Sequence, residues 1–366
     1  MRELKLVHAA DLHLDSAFES LPKEKAEQRR AQQRMLLKKL SELAESRGAQ
    51  AILLAGDIFE SGTIYRQTQE ELLKAFAPLS MPVIAAPGNH DPYSPGGLWD
   101  AMTLPENVFV FKNEDIKPLE LPQLGLRVWG AGFQDTFSTS LLKAFSAPEK
   151  KEGVFDVMLL HGEVCAGKSD YNAIGTQELA ESGMDYVALG HIHKRSELMR
   201  AGKTAYAWPG CSEGRGYDET GECGAYLVTL SDSGVAAEFV PLGGVRYEIL
   251  SVDVSETPPL EAVSQAAKGL SENDYCRIIL TGECESLPDT AALRKSLEGR
   301  FAELQIKDET VQKRDIGQLT GQDTLSGLYL SKLKNRLNAA DSERERQIIE
   351  LAAKRGLAAI ENGGRK

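Results

Sequence analysis

Short apolar runs punctuate the first two thirds of the chain. LKLVHA, AILLAG, PVIAAPG, LRVWGAG, FDVMLLHG, DYVALGH, TAYAWPG and AYLVTL follow one another up to about residue 240, most of them four to six residues long and bounded by Gly, Pro or Asp. Runs of that length, rich in Val, Ile or aromatic residues, predict buried strands rather than helices. Between some of them lie helical stretches, at 23–47 and 65–77. The pattern is that of an α/β domain.

It changes near VPLGGVRYEIL. After Gly243 and Gly244 the order strand (247–254), helix (260–270), strand (276–280), helix (290–298) and strand (303–307) predicts a compact second α/β unit, with Pro258 and Pro259 in the loop before its first helix. From Asp323 the pattern is purely helical. Leu325, Leu328, Tyr329, Leu333 and Leu337 recur at three- and four-residue spacing, and Ser342 with Glu345 forms a capping-box start for a second helix carrying Ile348, Ile349 and Ala352. The expected organisation is therefore 1–243, 244–322 and a helical tail at 323–366, which docks either on its own chain or on a partner.

Composition narrows the classes. At 366 residues, two or three domains are expected. No window approaches the ~20 apolar residues of a bilayer span, so no membrane partner is expected. The start of the chain carries no secretory pattern, and cytoplasm is the expected location. Five scattered cysteines without a C-x-x-C pair read as reduced thiols. A net charge of −12 excludes nucleic-acid binding by bulk charge alone. The basic stretch KEKAEQRRAQQRMLLKK, residues 23–39, is either a solvated helix face or a local phosphate contact.

The chemistry gathers where apolar runs end. Asp11 and His13 lie in HAADLHLDS, Asp57 in LLAGDIFESG, Asn89 and His90 in APGNHDPY, His161 in LLHGEV, and His191 and His193 in LGHIHK. Carboxyl ends of strands share one edge of an α/β sheet, so these groups converge. Residues two apart in an extended segment face the same side, so Asp11 with His13, and His191 with His193, can each offer two ligands to one pocket. Imidazole, carboxylate and amide donors together suit divalent Mn, Fe or Zn. Asp57 is the candidate bridge between two ions. Gly56 and Gly88 are expected to let the backbone turn sharply. His8, of opposite strand parity, is expected in the core or behind the ligands.

The order D-x-H, GD, GNHD, H and GHIH resembles the calcineurin-like metallophosphoesterase superfamily over roughly the first 240 residues. HAADLHLDS and WPGCSEGRGYDETGECGAYLV resemble, within it, the SbcD-type DNA repair exonucleases and their bacterial YhaO-like branch. The resemblance implies a four-layer α/β/β/α fold with a smaller α/β capping domain and a helical tail, and a dinuclear site usually run with manganese. It puts Asp11, His13, Asp57 and His193 on one ion and Asp57, Asn89, His161 and His191 on the other. It makes His90 the catalytic histidine, with Asp91 orienting it. Glu60, where related nucleases often carry His or Asp, is expected at the substrate. The GRGYDE segment either lines the substrate groove, through Arg215 and Tyr217, or forms a structural hairpin.

The function so implied is a manganese-dependent DNA exonuclease and endonuclease in DNA repair, working as a homodimer with an SbcC-type ABC ATPase that carries coiled coils. The acidic second unit argues against a strong grip on duplex DNA without such help. The alternatives are a phosphomonoesterase or cyclic-nucleotide phosphodiesterase, since one metal site serves many phosphate esters, and a scaffold that regulates an ATPase.

Overall fold

The computed structural model describes residues 2–313, 320 and 322–362. Residues 314–319 and 321, beside the expected boundary at 322/323, and residues 363–366 of the expected tail lie outside the described residues. In chain order the strands are β1 (Glu3–Ala9), β2 (Ala51–Leu54), β3 (Val83–Ala85), β4 (Val108–Val110), β5 (Lys117–Leu121), β6 (Leu126–Gly130), β7 (Phe155–His161), β8 (Glu163–Val164), β9 (Ala173–Ile174), β10 (Tyr186–Gly190), β11 (Met199–Ala201), β12 (Thr204–Ala207), β13 (Gly224–Ser231), β14 (Gly234–Pro241), β15 (Tyr247–Asp253), β16 (Tyr275–Thr281), β17 (Glu283–Cys284), β18 (Glu303–Asp308) and β19 (Val311–Gln312). The helices are α1 (Lys23–Ser46), α2 (Arg66–Phe76), α3 (Leu98–Ala101), α4 (Thr176–Glu181), α5 (Pro259–Ala266), α6 (Thr290–Ser296), α7 (Leu325–Asn338) and α8 (Glu343–Asn362).

Two six-stranded sheets organise the larger part, in the orders β14-β13-β1-β2-β3-β4 and β11-β12-β10-β7-β6-β5. Side-chain parity builds the layers. Leu4, Leu6, Ala51 and Leu53 of the first sheet and Val157, Leu159, Tyr186 and Ala188 of the second share one fully buried cluster between the sheets. The alternate residues Val7, Ala9, Ile52 and Leu54 face Leu36, Leu37 and Leu40 of α1 and Leu72 and Phe76 of α2. On the far side Met158, Leu160, Val187 and Leu189 pack with Leu179 of α4. Strands buried on both faces read as continuous apolar runs, which is why the sequence shows them as such. The result is the expected α/β/β/α sandwich.

Both sheets run their central strands in parallel: β1 with β2, β2 with β3, β6 with β7, and β7 with β10. Their carboxyl ends therefore lie along one edge of each sheet, and every chemistry-bearing motif follows such an end.

Two compact units are distinguished. One comprises Met1–Ile249, Leu270–Arg277 and Gly299–Gln305, the other Leu250–Gly269, Ile278–Glu298 and Ile306–Lys366. The expected boundaries are at 243/244 and 322/323, and these two units interleave along the chain. Strands β15, β16 and β18 form a three-stranded sheet. Pro259 is the first residue of α5 and not part of the preceding loop, a position where its missing N–H has no intrahelical partner to lose. The helix also stops at Ala266, short of the expected residue 270. In the tail, Thr324 caps α7 by accepting the Gly327 N–H at 3.1 Å. Ser342 Oγ accepts the Glu345 N–H at 3.2 Å, and the Glu345 carboxylate returns a bond to the Asp341 N–H at 3.3 Å.

Candidate metal centre

Three of the predicted motifs, those of Asp11 and His13, of Asp57 and of His191, leave their strands through left-handed backbone. Among the described non-glycine residues, positive φ occurs at Asp11 (51°), His13 (45°), Asp15 (69°), Phe18 (50°), Asp57 (49°), Asn172 (54°) and His191 (95°). Four of these are expected ligands. A left-handed non-glycine residue costs roughly 1–2 kcal/mol, so this conformation persists only where neighbours over-determine it. Here backbone bonds do so: the Asp11 N–H donates to the Gly56 carbonyl at 3.1 Å, His13 to Asp57 at 2.9 Å and Leu14 to Ile58 at 2.9 Å.

The glycines serve two different ends. Gly56 has a φ of 85°, and a Cβ there would strike the His161 ring. Gly88 does not adopt positive φ, which corrects the expectation of a sharp turn at that residue. It makes room instead, since a Cβ would overlap Asp57 Oδ1.

The donors do converge. Ligand atoms of Asp11, His13 and His193 lie within 4.8 Å of one another, as do those of His13, Asp57 and His90, and those of Asp11, Asp57 and His161. Asp57 Oδ2 is 3.3 Å from His161 Nε2 and 3.7 Å from His13 Nε2, while Oδ1 accepts the His90 N–H at 2.9 Å. Asn89 Oδ1 is 3.0 Å from His161 Nε2. The His191 ring centroid stands 5.2 Å from that of His161 and 5.0 Å from that of Tyr171, and its backbone N–H donates to Asp11 at 3.0 Å. His90 is the exposed member of the set, at the rim.

The donor chemistry fits a cationic occupant. His161 Nδ1 meets the Ala55 carbonyl at 2.9 Å, which directs Nε2 toward the oxygens of Asn89 and Asp57. His13 Nδ1 stands 3.0 Å from Glu60 Oε2, and His193 Nδ1 stands 2.7 Å from Glu219 Oε1. The two Nε2 atoms stand 3.2 Å apart, and the buried His13 Nδ1 has no hydrogen-bond partner among the described residues; if both rings carry their proton on Nδ1, two lone pairs face each other. Two acceptors at that distance repel unless a positive charge lies between them.

Buried Asp11 and Asp57 carry the same demand, because buried carboxylates need a counter-charge. Burial drives the Asp11 pKa up to about 6. For Asp57 burial acts the same way, but His161 and His13 outweigh it and hold the carboxyl well below the usual range. His161 is pushed up to about 9 by Asp57 against its own burial, and His191 is lowered to about 4 by burial and by His161.

Four of the expected residues have partners within the chain. The Asp91 carboxylate does not reach the His90 ring. It accepts the backbone N–H groups of Gly88 (2.7 Å), Ile58 (2.9 Å) and Phe59 (3.3 Å), and so ties the GNHD turn to the GD turn. Glu60 stands beside His13, Arg215 Nη1 at 2.8 Å and Ser16 Oγ at 3.0 Å. Arg215 is likewise held, by Glu60 and by Glu219 at 2.6 Å. Tyr217 lies under the Arg277 guanidinium, 3.9 Å from its ring centroid, and edge-on to Tyr247. These contacts hold GRGYDE as a folded segment, and Arg215 and Tyr217 also line a groove with Ser20, Leu21 and Arg277. Sequence reasoning missed Glu219: an acid in a loop beyond the last histidine motif, with no periodicity to flag it.

A model of the family described as calcineurin-like phosphoesterase matches residues 4–195. The chain belongs to that family. Calcineurin-like phosphoesterases hydrolyse phosphoester bonds with divalent metals, and the converging donors of this chain form such a metal-binding cluster. The chain is 31% identical over 278 residues to the metallophosphoesterase YhaO of Bacillus subtilis (strain 168), covering 72% of this chain and 67% of that protein. It is 26% identical over 269 residues to the DNA double-strand break repair protein Mre11 of Aeropyrum pernix, covering 69% and 64%. It thus spans about two thirds of each relative. The solved structure of TT1561 of Thermus thermophilus is matched over 66% of this chain and all of that one, at 15% identity and a TM-score of 0.39. No described helix is long and apolar enough to cross a membrane.

Proposed function

We propose that this phosphoesterase cleaves DNA phosphodiesters as a nuclease, with two manganese ions held by Asp11, His13, Asp57, Asn89, His161, His191 and His193. The observation that carries the reading is the pair of imidazole Nε2 atoms facing each other at 3.2 Å beside Asp11 and Asp57. The similarity to a DNA double-strand break repair protein supports DNA as the substrate. Iron and zinc suit the same donors.

When bound, divalent cations supply Lewis acidity toward the phosphoryl oxygens and acidify water to hydroxide near neutral pH. The chain supplies the rest. Asp57 stands between the two halves of the cluster and is kept ionised by His161 and His13. His90 Nδ1–H donates to the Glu60 carbonyl at 3.3 Å, and in the imidazolium form Nε2–H is the group that hands a proton to the departing oxygen, which returns the ring to the neutral Nδ1–H tautomer. Asp91 positions both turns through three backbone N–H groups rather than acting on the substrate.

An SbcC-type ABC ATPase and a second copy of the chain are the proposed partners, and the tail exposes Leu325, Leu328, Ile348 and Leu351 to receive one. A second reading, a phosphomonoesterase or cyclic-nucleotide phosphodiesterase, is favoured by one observation: Arg29, Arg30 and Arg34 of the basic helix turn inward, so α1 offers no row of free arginines to a nucleic acid.

The test is cleavage of end-labelled duplex DNA by the purified chain with Mn²⁺, with and without chelator. Mononucleotide release that chelator abolishes is expected, and intact DNA alongside turnover of cyclic nucleotides selects the second reading. His90→Ala should retain metal and slow cleavage by roughly 10² to 10⁴; unchanged turnover removes His90 from the chemistry.

A further inference from the structure

Two carboxylates outside the expected ligand set touch the metal-facing histidines, and one arginine joins them. Glu60 Oε2 meets His13 Nδ1 at 3.0 Å, Glu219 Oε1 meets His193 Nδ1 at 2.7 Å, and Arg215 reaches Glu60 Oε2 with Nη1 at 2.8 Å and Glu219 Oε1 with Nη2 at 2.6 Å. We propose that Arg215 is a positioning residue: with Glu60 and Glu219 it forms a strap across the centre that fixes the rotation and the tautomer of His13 and His193 together.

The anchoring is built in at each point. Glu219 is nearly buried, and its Oε2 also accepts the Arg215 backbone N–H at 2.8 Å, so the segment folds back onto its own arginine. Glu60 takes a third bond from Ser16 Oγ at 3.0 Å. Arg215 Nη2 also approaches His193 Nδ1, at 3.3 Å. The carboxylate contact is the shorter, at 2.7 Å, and on the two-cation reading an Nε2 turned to the ion leaves Nδ1 to carry the ring proton toward Glu219.

A guanidinium is required because its rigid fork reaches two carboxylates at once, which a lysine ammonium on a flexible stem does not reproduce. Without Arg215, two like charges face one another across the ring pair. Each glutamate then has reason to turn away, and each imidazole loses the partner that aims it. The histidines on the opposite side do not depend on the strap, since His161 is aimed by the Ala55 carbonyl.

The inference rests on the two-cation reading above, and the experiment separates the two. Mn²⁺ is titrated calorimetrically into chelator-stripped wild type, Arg215→Met and Arg215→Lys, with circular dichroism to establish folding. Wild type binding two ions upholds the reading; one or none overturns reading and strap alike. Given two ions, Arg215→Met should weaken one of them roughly 10- to 100-fold, the range for partners that orient a ligand, and leave the other within about threefold. Arg215→Lys should fall between. Unchanged affinities, or equal weakening of both ions, overturn the strap while leaving the reading intact. If Arg215→Met does not fold, Arg215→Lys is judged by the same pattern.

Discussion

His8 and His161 are both fully buried imidazoles, and their surroundings drive them in opposite directions. His161 has Asp57 against it and is pushed up to about 9. His8 has no carboxylate partner in its bonds: Nδ1 meets Tyr186 Oη at 2.9 Å and Nε2 meets the Leu189 carbonyl at 3.1 Å. Both nitrogens are satisfied in the neutral form, and burial lowers the pKa from 6.5 to about 3. Between those values the unfolded chain binds a proton at His8 that the folded chain does not. The associated stability is therefore complete above about pH 6.5 and is lost as pH falls through the window, with a limiting slope of about 1.4 kcal/mol per pH unit. Urea unfolding of wild type and His8→Gln, in excess chelator, should show the largest gap at about pH 7.5 and a gap narrower by roughly 1 kcal/mol at about pH 5.5. A gap that ignores pH would mean that this imidazole titrates in the fold as it does in the unfolded chain.

At the scale of elements, α7 and α8 pair through Leu330, Ala353 and Leu357, with Tyr329 laid over Gly356. Tyr329 Oη donates to the Ala352 carbonyl at 2.8 Å, and a Cβ at residue 356 would overlap that oxygen. Gly356→Leu gains about 0.8–1 kcal/mol of helix propensity but meets overpacking of about 1–3 kcal/mol and loses the tyrosine bond. The second effect wins. Limited proteolysis should then cut within residues 325–362 faster than in wild type, with Mn²⁺ uptake unchanged; equal protection would mean that the helices pair without this contact. The tail was legible in the sequence because leucine spacing and the Ser342–Glu345 pair report local geometry. The central strands were legible because both faces are buried. β14 was not, since its residues alternate between exposed and half-buried positions at a sheet edge and leave no apolar run. The ligand motifs were legible because each stands at a strand's carboxyl end, whereas the strap was not: Glu60 meets Arg215 across 155 positions, a pairing set by tertiary structure alone.

For the whole molecule, net charge limits how the proposed DNA substrate would be held. The net charge is −12, and the basic helix that offered the one local exception is largely consumed by the fold. Arg29 is buried against Glu213 at 2.8 Å, Arg34 pairs with Asp15 at 3.3 Å, and Lys39 donates to the Gly243 carbonyl at 2.5 Å. With those side chains engaged, helix α1 offers few phosphate contacts, and the proposed DNA contacts are expected close to the metal centre. Each neutralised phosphate contributes about −0.9 to the slope of log affinity against log salt for duplex DNA, so two or three contacts give a slope no steeper than about −3. Fluorescence anisotropy with a labelled duplex from about 50 to 200 mM salt, with Ca²⁺ in place of Mn²⁺ to suppress cleavage, should show weak binding with that shallow dependence. A slope of about −6 would require about seven phosphate contacts, more than this acidic chain presents, and would relocate the DNA to a surface other than the one around the cluster. A shallow slope leaves the cations as the main hold on the backbone, so affinity should fall when chelator strips them, while a partner ATPase that supplies its own basic surface should restore the salt sensitivity that this chain lacks.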